Sequence, residues 1–218
     1  GYEIASADEI SNKFGSSTIN LTIHVKHGTM KVSDPNNWPT TTKNQDKVDL
    51  TKTVTRDINY IDATNNQSLP SALARTQKQT TTLTRTAIVD KVTGRVIKYV
   101  NPIDPTKTVT SGADAWSTGT WNDVTNPDLT NKGYNGPFSD ENGKSQAPTV
   151  DGSKVSISTN TDPVNIYYRH KTITVTTPTD SSKFLPDNPN KNYPTITDAD
   201  LTKTVTRKIY IQGNTTPV

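Results

Sequence analysis

Three aromatic residues stand beside polar residues in a pattern that suits sugar binding. Trp116 and Trp121 precede Tyr134, and Asn122 and Asp123 follow Trp121 directly. A sugar can stack its apolar face on an aromatic ring while neighbouring amide and carboxylate groups bind its hydroxyls. These five residues are therefore the candidate ligand-binding residues. The alternative is that the rings form core, because a chain with only 3 Trp and 3 Phe needs its large rings for packing.

A metal site has one candidate. Asp140 and Asn142 place carboxylate and amide oxygens beside Gly143, and calcium takes several such oxygens as ligands. An ordinary Asn-Gly turn is the alternative.

The histidines have neither a carboxylate pair nor a serine at a spacing typical of a zinc site or a catalytic triad. We therefore expect no enzyme activity and no cofactor. The histidines are His24, His27 and His170.

Three arginines interrupt apolar strand faces: Arg56, Arg85 and Arg207. One interpretation is structural, since long basic side chains bury their stems and protect sheet edges. The other is capture of sialic acid or sulfate, because a guanidinium group pairs bidentately with such anions. The sequence leaves both interpretations open.

The composition indicates a folded, polar, β-rich chain with a thin core. The chain has 218 residues, a formal net charge of +3 and 29% hydrophobic residues. A typical soluble domain is roughly 45–50% apolar. The low net charge and the patterned apolar residues nevertheless disfavour disorder.

We expect no membrane insertion, because no apolar run reaches about 18 residues. We also expect no nucleic-acid partner, because the basic residues are spread along the chain.

Three pairs of similar segments occur in the same order along the chain and predict a duplicated unit. The register aligns His27 with His170, so we expect these two histidines to have the same local structural role. The pairs are Leu50–Arg56 with Leu201–Arg207 (both LTKTVTR), Val25–Val32 with Tyr168–Val175, and Gly1-Tyr2 with Gly133-Tyr134.

This register divides the chain into one complete repeat flanked by partial ones. Two stretches rich in Pro, Asp, Asn and Thr read as semi-rigid linkers. Trp38 lies in the first of them, where we expect it to pack the linker against a domain face. The predicted division is 1–32 as the C-terminal part of a preceding repeat, 33–49 as a linker, 50–177 as the complete repeat domain, 178–200 as a linker and 201–218 as the first strand of the next repeat.

Alternating apolar residues predict strands throughout, with little helix. The only helix predicted covers Ala113–Val124, ending before Pro127. Asp90–Gly94 is predicted to be a hairpin turn with Gly94 at positive φ. The predicted strands are Ile19–Val25, Leu50–Ile61, Thr81–Val89, Arg95–Val100, Val155–Thr159, Val164–Arg169, Thr172–Thr176 and the segment 201–211.

Two long motifs resemble a known family. Leu50–Ile61 (LTKTVTRDINYI) and Gln79–Val96 (QTTTLTRTAIVDKVTGRV), with the later Trp121–Pro127 and Gly133-Tyr134, are similar to the Mub, or MucBP, repeats of lactobacillal mucus-binding proteins. The resemblance implies an α+β fold of tandem ubiquitin-like β-grasp domains in an elongated array. It also implies an extracellular, cell-wall-anchored adhesin of a Gram-positive lactic acid bacterium. It implies no set of contact residues.

The function that follows from the resemblance is adhesion. We expect weak, multivalent carbohydrate binding to mucin glycoproteins and their glycans, with immunoglobulin as a further partner implied for some repeats. The alternative is a structural spacer that projects a distal binding domain from the cell wall. Because 201–211 reads as a strand without its own domain, we also expect strand exchange between neighbouring chains.

Overall fold

The computed structural model describes residues 1–7, 22–39, 48–186 and 188–208. The chain divides into two compact units. Unit 1 contains Gly1–Ile58, Gln77–Val124 and Val150–Val164. Unit 2 contains Asn59–Thr76, Thr125–Thr149 and Asn165–Val218.

The described residues are rich in strand and contain very little helix, as the sequence predicts. They hold one α-helix, α1 (Asp198–Leu201), and two 3₁₀ turns, Pro35–Asn37 and Thr130–Lys132. In chain order, the strands are β1 (Tyr2–Ala7), β2 (Ile23–His27), β3 (Thr29–Val32), β4 (Thr51–Asp62), β5 (Gln67–Ser68), β6 (Gln77–Thr84), β7 (Ala87–Asp90), β8 (Val96–Val100), β9 (Thr108–Val109), β10 (Gly119–Trp121), β11 (Val124–Thr125), β12 (Tyr134–Phe138), β13 (Thr149–Val150), β14 (Ser153–Val155), β15 (Val164–His170), β16 (Phe184–Leu185) and β17 (Asn188–Asn192).

Strand β4 is the longest element, and its predicted position is confirmed. Alternate residues from Val54 onward are buried, as the period of two in a strand requires. Its first part belongs to unit 1 and pairs antiparallel with β6, with Thr51 opposite Thr84 and Ile58 opposite Gln77. Its last part belongs to unit 2, where the strand order is β12-β15-β4-β5.

Unit 1 also contains a four-stranded sheet in the order β3-β7-β8-β9. Trp38 is buried with residues of this sheet, and its indole Nε1 donates a hydrogen bond of 3.0 Å to the Gly94 carbonyl. The expected packing of Trp38 on a domain face is confirmed. The predicted turn before β8 is confirmed as well, with Gly94 at a φ of 74°.

The helix predicted over Ala113–Val124 is wrong. Residues Gly119–Trp121 form β10, which pairs antiparallel with β14. Gly119 explains the difference, because a Cβ added there would overlap the Cγ2 atom of Thr81 on β6. The sequence needs Gly here so that the backbone can lie close to the neighbouring strand. The Thr residues that crowd a helix fit well on this pleated surface.

Other predicted strands differ in their limits. The single strand predicted over Thr81–Val89 is two strands, β6 and β7, which are separated at Arg85-Thr86. Residues 172–176 form no regular strand, and 202–208 have no regular secondary structure and are exposed. Residues 19–21 and 209–211 lie outside the described residues. The stretch 178–200, predicted as a linker, contains the short pair β16–β17.

The β1–β2 pair of unit 1 and the β12–β15 pair of unit 2 have the same register. Tyr2 lies opposite His27 in the first pair, and Tyr134 lies opposite His170 in the second. The two rings meet edge to face in both, with centroids 5.2 Å apart. The predicted correspondence of these segments is therefore present in three dimensions. The backbone bonds that follow also correspond: Gly28 N donates to Gly1 O (2.6 Å), and Lys171 N donates to Gly133 O (2.8 Å).

Candidate functional site

Trp121 lies in the core of unit 1. Its side chain is only 6% exposed and packs with Val54, Leu83 and Val155. The guanidinium of Arg56 lies over the ring, 5.1 Å from its centroid. The surface that a sugar would stack on is therefore already covered.

Arg56 is buried beside Trp121, and its donors are used inside unit 1. Nη1 donates to the Asp151 carbonyl (2.8 Å), and Nη2 donates to the Asn122 carbonyl (2.9 Å). Nε and Nη2 both donate to Oε1 of Gln79, at 3.1 and 2.8 Å. Burial lowers the pKa of this guanidinium from its ordinary value, although Asp123 acts in the opposite direction. This geometry agrees with the structural interpretation of Arg56.

Asn122 and Asp123 support the loop next to Trp121. The Asn122 carbonyl accepts hydrogen bonds from Arg56 and from Nε2 of Gln79, at 2.9 and 3.0 Å. The Asp123 carboxylate accepts one from the backbone N–H of Gly152. Their predicted role in ligand binding stays a prediction, and the contacts present hold β10 against its neighbours.

Trp116 borders a pocket in unit 1 of about 340 Å³, which we call the Trp116 pocket. Arg85 fixes the ring: its guanidinium carbon lies 4.4 Å from the Trp116 centroid and 4.8 Å from that of Tyr99. Arg85 also donates to the carbonyls of Asp49 and Gly112, at 2.7 and 2.9 Å. The lining residues are Pro102, Ile103, Ala113, Asp114, Trp116, Ser117, Thr118, Ser156 and Ile157.

Tyr134 borders a second, larger pocket of about 490 Å³ in unit 2, the Tyr134 pocket. Its size is in the range typical of small-ligand sites, roughly 300–1,000 Å³. Side chains with amides, ammonium groups and aromatic rings converge there. The lining residues are Leu73, Lys132, Gly133, Tyr134, His170, Lys171, Ile173, Leu185, Asn188, Asn190 and Lys191.

Aromatic contacts hold the Tyr134 ring in place. It meets His170 at 5.2 Å and Tyr168 at 6.5 Å, both edge to face. Tyr168 is itself fully buried and donates its hydroxyl to the Pro127 carbonyl at 2.7 Å. Burial raises the pKa of Tyr134, and the nearby Asp62 carboxylate raises it further. The phenol therefore stays protonated at neutral pH and remains a hydrogen-bond donor.

The two histidines that the sequence aligns each contact a carboxylate. Nε2 of His170 lies 2.8 Å from Oδ2 of the buried Asp62. Nδ1 of His27 lies 2.7 Å from Oδ2 of Asp90. The expected shared structural role of the two histidines is confirmed, although different ring nitrogens and different carboxylates are used.

The calcium candidate has the geometry of a turn. Oδ1 of Asp140 accepts backbone hydrogen bonds from Asn142 (2.9 Å) and Lys144 (3.2 Å), and Oδ2 accepts one from Ser145 (2.8 Å). These bonds lower the pKa of Asp140. The carboxylate thus has donors for both oxygens without a cation. The described residues contain no cluster of three or more His, Cys, Asp or Glu side chains that could hold a metal.

Residues 45–172 match the model of the Muc B2-like domain. The chain belongs to the Muc B2-like domain family. The resemblance noted from its motifs is thereby confirmed. The matched region of this Muc B2-like chain includes Trp116 and Tyr134, and it ends before β16 and β17, which complete the Tyr134 pocket.

Three solved structures resemble this Muc B2-like chain. The mucin-binding domain of Spr1345 from Streptococcus pneumoniae is 23% identical, with a TM-score of 0.42, over 67% of this chain and 99% of that one. The type 2 repeat of the mucus binding protein MUB from Lactobacillus reuteri is 22% identical, with a TM-score of 0.43, over 78% and 76%. The structure of Mub-RV is 24% identical, with a TM-score of 0.46, over 79% and 76%.

No curated protein matches the chain. Within the part of the chain that the structure describes, no helix has the length and apolar character needed to cross a membrane.

Sequence reasoning missed most of the Tyr134 pocket. Tyr134 was a candidate because of its ring, but Lys132, Lys171 and Lys191 carried no motif, and Asn188 and Asn190 lie in a stretch predicted to be a linker. These residues come from segments far apart in sequence. The linker composition gave no signal that its asparagines line a pocket.

Proposed function

We propose that this Muc B2-like chain is part of an extracellular adhesin that binds mucin glycans. Membership of the Muc B2-like domain family supports the proposal. Two of the solved structures that resemble the chain are described as a mucin-binding domain and as a repeat of a mucus binding protein. The observation that carries it is the Tyr134 pocket. It combines a fixed aromatic ring with the amides of Asn188 and Asn190 in a volume that accommodates a sugar.

Each site is expected to bind weakly. The Tyr134 pocket is open to solvent, so it removes only part of a bound sugar from water, and we expect its affinity for a single glycan to be low. Tethered copies increase the apparent affinity, because a second binding event then occurs at an effective concentration near mM. The apparent affinity of the tethered copies can exceed that of a single copy by about 10²–10⁴-fold. Adhesion therefore depends on several copies that act together.

The test is binding of the chain to immobilised mucin, as a monomer and as an artificial multimer, before and after glycosidase treatment of the mucin. We expect binding that becomes strong on multimerisation and is lost with the glycans. Absence of binding in both forms would contradict the proposal.

Matched variants locate the site. Tyr134→Leu removes the phenol at the pocket and is expected to abolish multimer binding. Tyr2→Leu is the control, because Tyr2 makes the same edge-to-face contact with a histidine but lines neither pocket. Trp116→Ala tests the other pocket. A thermal unfolding curve for each variant separates loss of binding from loss of fold.

A structural spacer is the second candidate, and the outer face of β6 favours it. Threonine and glutamine dominate this strand, and the Thr80 hydroxyl lies 3.3 Å from that of Thr55 on β4. Such a polar surface resists association without recognising a ligand. If the wild-type multimer does not bind mucin and neither pocket variant binds it either, the spacer assignment replaces the adhesin assignment.

The cellular setting follows from the family resemblance and is part of the proposal. We propose display on the cell wall of a Gram-positive lactic acid bacterium, with immunoglobulin as a second partner. The tandem ubiquitin-like β-grasp arrangement is proposed on the same basis. Among the described residues the only α-helix is the four-residue α1, so the β-grasp part of the proposal implies domains without a long helix over the sheet.

A further inference from the structure

We propose that β2 of one chain accepts residues 201–211 of a second copy, the donor segment, as an added strand. This inference is independent of the proposed glycan binding, and its partner is another molecule of the same protein. Each side of the contact has a counterpart within the chain. β2 corresponds to β15, the donor segment begins with the heptapeptide that leads into β4, and β15 lies beside β4 in the sheet.

The contact between β4 and β15 shows how such a strand fits. Nδ2 of Asn59 donates to Oδ1 of Asn165 at 3.2 Å. Further along, the Ala63 N–H donates to the Tyr168 carbonyl at 2.8 Å. Residue numbers rise in the same direction on both sides of this contact, so the two strands are parallel. The Tyr60 and Tyr168 rings also meet there, with centroids 6.3 Å apart.

The edge of β2 that corresponds to the β4 side of β15 has no strand beside it among the described residues. β15 lies between β12 and β4. Within the described ranges β2 pairs with β1 alone, and β1 is the counterpart of β12. The N–H and C=O groups along such an edge readily add a further strand. The place that β4 takes in unit 2 is therefore the place we assign to the donor segment.

The apolar face of β2 is exposed where its counterpart is buried. Ile166 and Tyr168 of β15 lie in the core of unit 2. Their counterparts on β2, Ile23 and Val25, are 51% and 55% exposed. Ile4 of β1, which lies opposite Val25, is exposed as well. An apolar face that stays in solvent on a duplicated strand is typical of an interaction surface.

The donor segment has the sequence of β4 without the surroundings of β4. Residues 202–208 are exposed and have no regular secondary structure. Ile209 and Ile211 lie outside the described residues, and in the sequence they hold the positions of Ile58 and Tyr60. Ile58 and Tyr60 are both buried. The apolar alternation that buries one face of β4 thus continues through the donor segment.

The duplicated register determines which residues meet. Ile211 corresponds to Tyr60, and Val25 corresponds to Tyr168. The contact of the two tyrosine rings therefore places Ile211 of one molecule beside Val25 of the next. Because the donor segment and β2 are different surfaces, each chain can donate one strand and accept another. Such a heterologous contact builds open rows of molecules unless the rotation between them closes a ring.

Engineered cysteines test this register, since the chain contains no cysteine of its own. Val25→Cys and Ile211→Cys are made in separate full chains, one of them isotopically labelled, and the two are mixed and oxidised. Lys26→Cys replaces Val25→Cys in the control, because Lys26 is exposed on the opposite face of β2. We expect the mixed dimer to form at least about tenfold faster than in the control, because a disulfide requires Cβ atoms about 4 Å apart.

The masses of the products distinguish the alternative occupants of β2. A predominance of dimers between two Val25→Cys chains would overturn the proposal by showing that two β1–β2 pairs pack face to face. Equal rates with Val25→Cys and Lys26→Cys would overturn it by showing random collision. In a chain that carries both Val25→Cys and Ile211→Cys, a disulfide formed within one molecule in dilute solution would overturn the assignment to a second copy.

A synthetic peptide tests the same contact in the unaltered chain. Its sequence is that of residues 201–214, and a scrambled peptide of the same composition is the control. We expect the peptide to slow amide hydrogen exchange at Ile23–His27 by at least about fivefold, because exchange reports the opening of backbone hydrogen bonds. Unchanged exchange at these amides, or equal slowing by the scrambled peptide, would overturn the proposal.

Discussion

Arg56 and Arg207 occupy the same position in two identical heptapeptides, yet their surroundings differ. Arg56 lies on β4, where its side chain is buried beside Trp121 and makes several hydrogen bonds. Arg207 is exposed and lies outside any regular element. The sequence leaves the same two interpretations open for both arginines. The structure gives Arg56 a specific role in holding β4, β6 and the Asn122 loop together.

This difference leads to a stability prediction. Arg56→Ala leaves the Asp151 carbonyl and Oε1 of Gln79 without this donor, and it removes one of two donors from the Asn122 carbonyl. We therefore expect the free energy of unfolding to fall by about 2–4 kcal/mol. Arg207→Ala, the matched control, should change it by less than about 0.5 kcal/mol. Urea unfolding followed by tryptophan fluorescence measures both. Similar values for the two variants would show that the Arg56 contacts do not stabilise the fold.

At the scale of elements, the turn between β7 and β8 depends on one carboxylate. Oδ1 of Asp90 accepts from the N–H groups of Val92 (2.7 Å) and Thr93 (2.9 Å), and Oδ2 contacts His27 (2.7 Å). The Thr93 bond leads the contacts that lower the pKa of Asp90 to about 2. The carboxylate is thus stabilised in its charged form by the turn that it closes.

The pH dependence has a definite sign. Because the folded pKa of Asp90 lies below its ordinary value near 4, its contribution to stability is complete above about pH 4 and is lost as pH falls toward 2. We expect Asp90→Asn to lower the Tm at pH 6, and the difference from wild type to shrink between pH 4 and pH 2. Thermal unfolding at several pH values measures this. A difference that is constant over this range would contradict the assignment.

The elements also show where sequence reasoning worked and where it failed. β4 and β15 were predicted because alternation along one strand is a local pattern. The helix predicted over Ala113–Val124 is wrong because the close approach of Gly119 to Thr81 is a tertiary contact, which no local pattern reveals. The break between β6 and β7 falls at Arg85-Thr86, where the Arg85 side chain bonds to the Asp49 and Gly112 carbonyls, which are distant in sequence.

At the scale of the whole molecule, the strand exchange expected between copies of the chain stays a prediction, and the described residues show no strand at 202–208. β1 and β2 expose apolar side chains, and the segment 202–208 is exposed without regular structure. Unpaired strand edges and extended segments readily add to each other. The exposed apolar residues of the pair are Tyr2, Ile4, Ile23 and Val25.

We therefore expect the chain to self-associate as its concentration rises. Val205→Asp should weaken this association, because Val205 is exposed in the LTKTVTR segment and a charge there disfavours burial in a new sheet. Lys203→Asp, in the same segment, is the control for charge. Sedimentation velocity over a range of concentrations measures the effect. A chain that stays monomeric at high concentration would contradict strand exchange.

The sequence by itself determined the β-rich character, the principal strands, the correspondence between the β1–β2 and β12–β15 segments, and the family. These features depend on local alternation, composition and matching motifs, all of which can be read along the chain. The tertiary structure decided which polar groups are buried and which converge. The same LTKTVTR heptapeptide is a strand at 51–56 and irregular at 202–207, because only the first copy has β6 to pair with among the described residues. The lysines of the Tyr134 pocket likewise meet only because β15, β17 and a 3₁₀ turn pack together.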